Sequence, residues 1–200
     1  MSDSIIVENG LIAIGGGAFF TEIRFVLVVA FVAVAAVFDV RSHRIPNWLV
    51  LLGTVTCFAG QLIQPALLPF GIAGALKGIG VGFALLLPLY LLRAMGAGDV
   101  KLMAMIGAYL GPWGIASAAI LSVLAGGVLA LAVVLARGVL GQLIANLRTI
   151  VFGTLLSAMT TGKTTVMGPA ASVGNLPYGV AIAIGTFAHV VMVQRGIALL

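Results

Sequence analysis

The sequence predicts an all-α integral membrane protein with about six transmembrane helices and an amphipathic interfacial helix before the last one. Of its 200 residues, 62% are apolar and 8% are charged, whereas a soluble domain is about half apolar and a quarter charged. The apolar residues form continuous blocks, and a helix of roughly 20 apolar residues crosses a bilayer. A transmembrane β-barrel would instead show alternating segments of about ten residues. These observations favour one helical membrane domain over a soluble fold.

The predicted helices follow one another with short connections. Residues 1–21 are expected to lie outside the membrane as a leader, and residues 22–200 to form a single polytopic membrane domain. The expected spans are residues 23–38, 48–63, 72–92, 99–110, 115–136 and 177–193. Residues 138–175 are expected to combine an amphipathic interfacial helix with a polar loop. Gly111-Pro112-Trp113 predicts a tight reversal between the fourth and fifth spans.

Glycine and proline predict two further local features. Gly74, Gly78 and Gly82 recur every four residues in the third span. Such a stripe of small residues lets a neighbouring helix approach closely. Pro46 disfavours helical geometry at the residue before it and suits the first turn of the second span. Residues 40–47 are therefore expected to form a short basic loop.

The distribution of lysine and arginine predicts the orientation. If the amino terminus lies outside, seven of the ten basic residues fall in cytoplasmic segments. They are Arg41, Arg44, Arg93, Lys101, Arg137, Arg148 and Lys163. Because cytoplasmic loops of membrane proteins carry the excess of positive charge, this orientation is favoured. It accounts for the net charge of +5 without a nucleic-acid partner, and it places Asp39 and Asp99 on the cytoplasmic side.

Asp39 and Asp99 are the candidate functional residues. The other three acidic residues precede the first span, whereas these two lie at the borders of apolar spans. A carboxylate there is costly unless it faces protein or water, which marks it as a functional-site candidate. Two neighbouring carboxylates share one proton, so the ionised member can activate water while the neutral member polarises a peptide carbonyl. This chemistry of the aspartic proteases needs neither a metal nor a cofactor.

A second hypothesis involves no catalysis. A small transporter or an assembly subunit could use Asp39 and Asp99 as proton or ion sites. An inverted repeat would support transport, and none is visible in the sequence. Simple ion pairs of these aspartates with Arg41 and Lys101 are disfavoured, because residues two apart do not face each other on a helix.

Two segments together resemble the type IV prepilin peptidases. In the first, Asp39 is followed at a spacing of five residues by Ile45-Pro46-Asn47. The second, Gly96-Ala97-Gly98-Asp99-Val100-Lys101-Leu102, is similar to the GxGD signature of that family. Leu176-Pro177-Tyr178-Gly179-Val180-Ala181 is similar to the start of the family's last membrane helix. The resemblance covers about residues 38–185, and the combination of motifs is far more specific than GxGD alone.

The resemblance implies an aspartic endopeptidase of the bacterial inner (cytoplasmic) membrane. Such enzymes remove the short basic leader of prepilins or pseudopilins at the cytoplasmic face, just before the hydrophobic segment. Asp39 and Asp99 would be the catalytic pair. The residues expected to shape the active site and its substrate contacts are Gly96, Gly98, Lys101, Pro46 and Asn47. No metal or cofactor is implied, and the expected partners are prepilins and the lipid bilayer.

The chain also resembles a particular branch of this family. The longest members carry an additional cytoplasmic region with paired cysteines and methylate the new amino terminus. Here the first connection is short and Cys57 is the single cysteine, so we expect a peptidase without N-methyltransferase activity, similar to those that process Flp-type, tight-adherence pilins. Archaeal preflagellin peptidases and presenilin-like proteases rank lower. In the latter a Pro-Ala-Leu stretch follows the second aspartate, whereas Pro65-Ala66-Leu67 precedes Asp99.

Overall fold

Five helices follow a short hairpin of strands in the part of the chain that the structure describes. This computed structural model describes residues 6–8, 11–13, 15–65, 68–92, 95–138 and 178–197, with isolated positions between 140 and 148. The elements are β1 Ile6–Glu8, β2 Leu11–Ala13, α1 Gly15–Ser42, α2 Asn47–Ile63, α3 Gly71–Leu91, α4 Ala97–Ala136 and α5 Tyr178–Gln194. β1 and β2 pair antiparallel. Apart from this hairpin, the described elements are helical, as the composition predicts.

The chain divides into two compact units. One comprises Met1–Gly126 and Pro177–Leu200, and the other comprises Gly127–Leu176. The first unit contains α1, α2, α3, most of α4 and α5, and with them both sequence motifs. The interfacial helix and loop predicted at residues 138–175 lie outside the described residues, apart from a few isolated positions, and so they stay predictions.

Three helices of the described chain are long and apolar enough to cross a membrane. They are Ile23–Ser42 within α1, Gly71–Leu91 and Ala97–Ala136. α2 and α5 are also apolar but have 17 residues each, fewer than the roughly 20 that a bilayer crossing requires. The prediction of a helical membrane protein is therefore supported, whereas the predicted number of six spans is not confirmed.

The long helix α4 reverses its direction at Gly111. This residue has a left-handed backbone, with φ 71° and ψ 179°, and Pro112 follows it. The backbone oxygen of Met103 and the side chain of Ile115 would both contact a Cβ atom placed on Gly82. Twelve residues of a straight helix would separate those two positions by about 18 Å. Within the first unit, the part of α4 that follows Gly111 therefore folds back beside the part that precedes it, as the Gly-Pro-Trp sequence predicts.

α3 and α4 approach each other at the level of their backbones. A Cβ atom on Gly78 would overlap the backbone oxygen of Gly107, and a Cβ atom on Gly107 would overlap that of Gly78. The small-residue stripe thus brings a neighbouring helix close at two of its three positions, Gly78 and Gly82. Gly74 differs, because it faces the side chain of Phe70, directly before its own helix.

The first half of α4 forms the centre of the hydrophobic core. The side chains of Leu102, Met103, Ile106 and Tyr109 are fully buried. The Tyr109 hydroxyl donates a 2.8 Å hydrogen bond to the backbone oxygen of Gly53 in α2. A hydroxyl buried in apolar surroundings needs such a partner, so this bond fixes α4 against α2. Asp99 stands at the start of this central helix.

A buried arginine lies on α1 far from Asp39. Arg24 is buried, and its guanidinium lies 4.5 Å from the ring centroid of Phe25 and 5.7 Å from that of Phe70. Its Nε and Nη1 atoms have no hydrogen-bond partner among the described residues. The two aromatic faces therefore supply the favourable electrostatic contact that a counter-ion would otherwise provide.

The contact between Gly78 and Gly107 yields a stability prediction. Gly78→Ala should destabilise the protein by about 1–3 kcal/mol, because the added methyl group overpacks two backbones that cannot yield easily. Gly80→Ala in the same helix is the matched control, since its Cβ would meet nothing within 4 Å. It should be neutral or stabilising, because alanine is the better helix former. Thermal aggregation in detergent measures both variants, and equal midpoints would contradict the packing described here.

Candidate active site

Asp39 lies inside α1. The prediction that the first span ends at Phe38 and that a loop begins at Val40 is wrong, because the helix continues to Ser42. Val40, Arg41 and Ser42 are neither glycine nor proline, so the helix can continue past Asp39. The helix ends where His43 adopts a left-handed backbone with φ 49°. The His43 N–H donates a 2.8 Å hydrogen bond to the backbone oxygen of Asp39. Asp39 therefore belongs to a rigid element and is buried, with 7% of its surface exposed.

The carboxylate of Asp39 contacts the start of α5. Its Oδ2 accepts a 2.7 Å hydrogen bond from the backbone N–H of Gly179, the second residue of that helix. The first N–H groups of a helix have no partner within it, and the helix dipole favours negative charge there. The buried carboxylate of α1 is thus stabilised by an N–H group in the first turn of α5.

The carboxylate of Asp99 caps its own helix. Asp99 lies in the first turn of α4, and its Oδ2 accepts a 3.1 Å hydrogen bond from the N–H of Gly96. The Asp99 N–H in turn donates to the Gly96 oxygen at 3.2 Å. The bond from the Gly96 N–H to the carboxylate is one half of a capping box, in which an acidic side chain three positions after the N-cap bonds to the N-cap N–H. Asp99 is buried to the same degree as Asp39, at 7% exposed.

The structure brings the two carboxylates together. Asp39 and Asp99 lie close enough for the charge of Asp39 to act on Asp99. Like charges in partly dry surroundings resist simultaneous ionisation, so such a pair tends to hold one shared proton. The arrangement can therefore hold an ionised and a neutral carboxyl within electrostatic reach of each other.

The two sequence motifs also pack against each other. A Cβ atom on Gly98 would lie 3.2 Å from the Cβ atom of Ile45, and the Lys101 Nζ donates a 3.0 Å hydrogen bond to the Asn47 Oδ1. Pro46 directly precedes α2 with φ −65° and ψ 134°, an extended geometry that starts the helix at Asn47. Gly98 and Lys101 thus contact the Ile45–Asn47 stretch at a junction between α2 and α4.

Sequence reasoning missed one residue of this site, Gly179. In the sequence, Gly179 belongs to residues 176–181, the segment similar to a last membrane helix. Its contact with Asp39 joins positions 140 residues apart, and no local pattern indicates such a pairing. The available signal was the glycine at the start of an apolar helix, where close approach to another group is possible.

Among the described residues, no three His, Cys, Asp or Glu side chains cluster as a metal site would require.

Comparison with known proteins gives one match. The sequence profile of the type IV leader peptidase family matches residues 26–131. The match includes both aspartates, the Ile45-Pro46-Asn47 stretch and the Gly96–Asp99 motif, and it ends before α5. Searches among curated proteins and among solved structures found no match.

The contact between Gly98 and Ile45 yields a prediction about the junction of the two motifs. Gly98→Val should push Ile45 away and lower the unfolding free energy by about 1–3 kcal/mol through overpacking. Ile45→Gly in the same chain should recover part of that loss, because it removes the Cβ atom that lies nearest to the added side chain. A double-mutant cycle on thermal stability measures the coupling. Additive effects of the two substitutions would show that the motifs do not touch.

Proposed function

The chain belongs to the type IV leader peptidase family, and from this we propose that it is a membrane-embedded aspartic endopeptidase with Asp39 and Asp99 as its catalytic pair. The observation that carries the proposal is the burial, within the matched residues, of two carboxylates from different helices that lie within electrostatic reach of each other. Each carboxylate is costly in this apolar bundle. Two carboxylates within electrostatic reach of each other are costlier still, and this cost favours a catalytic role for the pair.

The proposed reaction is hydrolysis of a peptide bond with one water molecule. The ionised carboxyl takes a proton from the water as the water oxygen attacks the carbonyl carbon. The neutral carboxyl gives its proton to the carbonyl oxygen, which becomes a hydroxyl of the tetrahedral intermediate. Return of a proton to the amide nitrogen breaks the carbon–nitrogen bond and leaves an acid and an amine.

The hydrogen bonds in the site leave room for this chemistry. Asp39 and Asp99 each use Oδ2 to accept a backbone N–H. Neither Oδ1 accepts a hydrogen bond from any described residue. One oxygen of each carboxyl thus fixes the side chain while the other is available to water or to the peptide carbonyl.

We propose as substrates prepilins or pseudopilins with a short basic leader, cut at the cytoplasmic face of the bacterial inner membrane. Family membership implies prepilin substrates. The cytoplasmic face follows from the excess of Lys and Arg in the segments beside both aspartates, under the positive-inside rule. A basic leader would bring positive charge to a site whose two acids hold one negative charge between them.

We further propose Flp-type pilins as the substrate class and peptidase activity without N-methylation. The connection between α1 and α2 comprises residues 43–46, which is too short for an additional domain. Cys57 is fully buried in α2. Its thiol therefore packs as a small apolar group.

Substitution of either aspartate tests the catalytic assignment. Asp39→Asn and Asp99→Asn keep the size of each side chain but remove the ionisable proton. Each should lower the rate of prepilin trimming by about 10²- to 10⁴-fold, as loss of a general acid or base does. Co-expression with a candidate prepilin and gel mobility of the product measure the rate. Glu8→Gln, which removes a carboxylate expected from the sequence to lie outside the membrane spans, is the matched control and should trim normally.

The same experiment separates the two hypotheses for the aspartates. Normal trimming by either asparagine variant would exclude the catalytic pair and favour the use of Asp39 and Asp99 as ion sites. Each variant must first match the unmodified protein in its size-exclusion profile. This comparison separates loss of chemistry from loss of folding.

The mature amino terminus tests the absence of methylation. Mass spectrometry of the processed pilin should show a single cut before the hydrophobic segment and a free, unmethylated amine, even when S-adenosylmethionine is supplied. Cleavage should persist in a metal chelator, because the carboxyl pair works without a metal. A methylated terminus would contradict the assignment to the short branch while leaving the peptidase assignment intact.

A further inference from the structure

We propose that Gly179 is a positioning residue for Asp39, acting through its backbone N–H and through its lack of a side chain. The role rests on the proposed function, because it matters only if Asp39 takes part in the reaction. It extends the catalytic centre from the two motif segments to α5, which lies beyond the matched residues 26–131.

The hydrogen bond sets one oxygen of the Asp39 carboxylate. The Gly179 N–H lies 2.7 Å from Oδ2 and is buried, and hydrogen bonds to charged groups are short and strong. With Oδ2 held in this way, rotation of the carboxylate is limited and Oδ1 keeps one direction. A general acid or base must lie within hydrogen-bond reach of its proton, so this direction matters for the reaction.

The missing side chain sets how closely α5 approaches. A Cβ atom on Gly179 would lie 2.9 Å from both the Cβ and the Oδ2 atoms of Asp39 and 3.1 Å from its Cγ. Any other residue would collide with the carboxylate and push it away from its donor. Close approach of a backbone to another group is a common reason for glycine at a fixed position.

α5 can hold this N–H in place because α4 fixes the helix farther along. Gly185 packs against the backbone of Ser122 in α4, and Ser122 donates its hydroxyl to the Ala118 oxygen at 2.7 Å. α4 also carries Asp99 at its start. One helix therefore bears the second aspartate and braces the helix that orients the first.

Gly179→Ala tests this role against simple helix packing. If the methyl group met nothing, alanine would stabilise α5, because it is the better helix former. We expect instead a fall in kcat of about 10- to 100-fold, as small displacements of reacting groups cause, with KM nearly unchanged. Rates are taken per folded molecule, from cleavage of a prepilin by the purified full-length enzyme. Gly80→Ala is the matched control, since the same substitution in α3 places a Cβ that meets nothing within 4 Å.

Four outcomes decide the proposal. A kcat loss confined to Gly179→Ala supports the positioning role, and equal kcat values per folded molecule for both variants overturn it. If Gly179→Ala does not fold, Asp39→Gly in the same chain should restore folding by removing the colliding atoms, and failure to restore it overturns the contact. If the unmodified enzyme and Asp39→Asn cleave the prepilin at the same rate, the proposed function itself is overturned. Whether Gly179→Ala folds has no bearing on that result.

Discussion

The architecture depends on how two negative charges are accommodated inside an apolar bundle. Asp39 and Asp99 are both buried, and each accepts a backbone N–H at the beginning of a helix. These are the positions where a folded chain has unpaired donors and partial positive charge to offer. This requirement explains where α4 and α5 begin. The N–H just before α4 bonds to Asp99, and an N–H in the first turn of α5 bonds to Asp39.

The packing of α4 makes that arrangement rigid. Its backbone meets that of α3 through Gly78 and Gly107, and Tyr109 ties it to α2. The reversal at Gly111 brings its second part back beside the first, and this second part braces α5 at Gly185. Most of these contacts are made by backbone atoms and not by flexible side chains. The helices are therefore held in place despite the two buried acids.

Much of the site could be predicted from sequence, because acids are rare in apolar spans and each aspartate stood out alone. The reversal at Gly111 followed from local turn chemistry. The end of α1 did not, since the left-handed turn at His43 stops the helix and no residue type indicates it. Gly74 belongs to the glycine stripe but faces Phe70. The spacing of small residues predicts a helix face that a neighbour can approach, but it does not identify that neighbour. The role of Gly179 could not be predicted, because its contact with Asp39 exists only in the folded chain.

The bond between Gly179 and Asp39 spans 140 positions, and this has a consequence for biosynthesis. Translation proceeds from the amino end, so α1 to α4 leave the ribosome before α5 has been made. During that interval the carboxylate of Asp39 lies in the growing bundle without its donor. The last described helix to be synthesised thus completes the surroundings of Asp39, and the nascent protein lacks a finished site until α5 has joined the bundle.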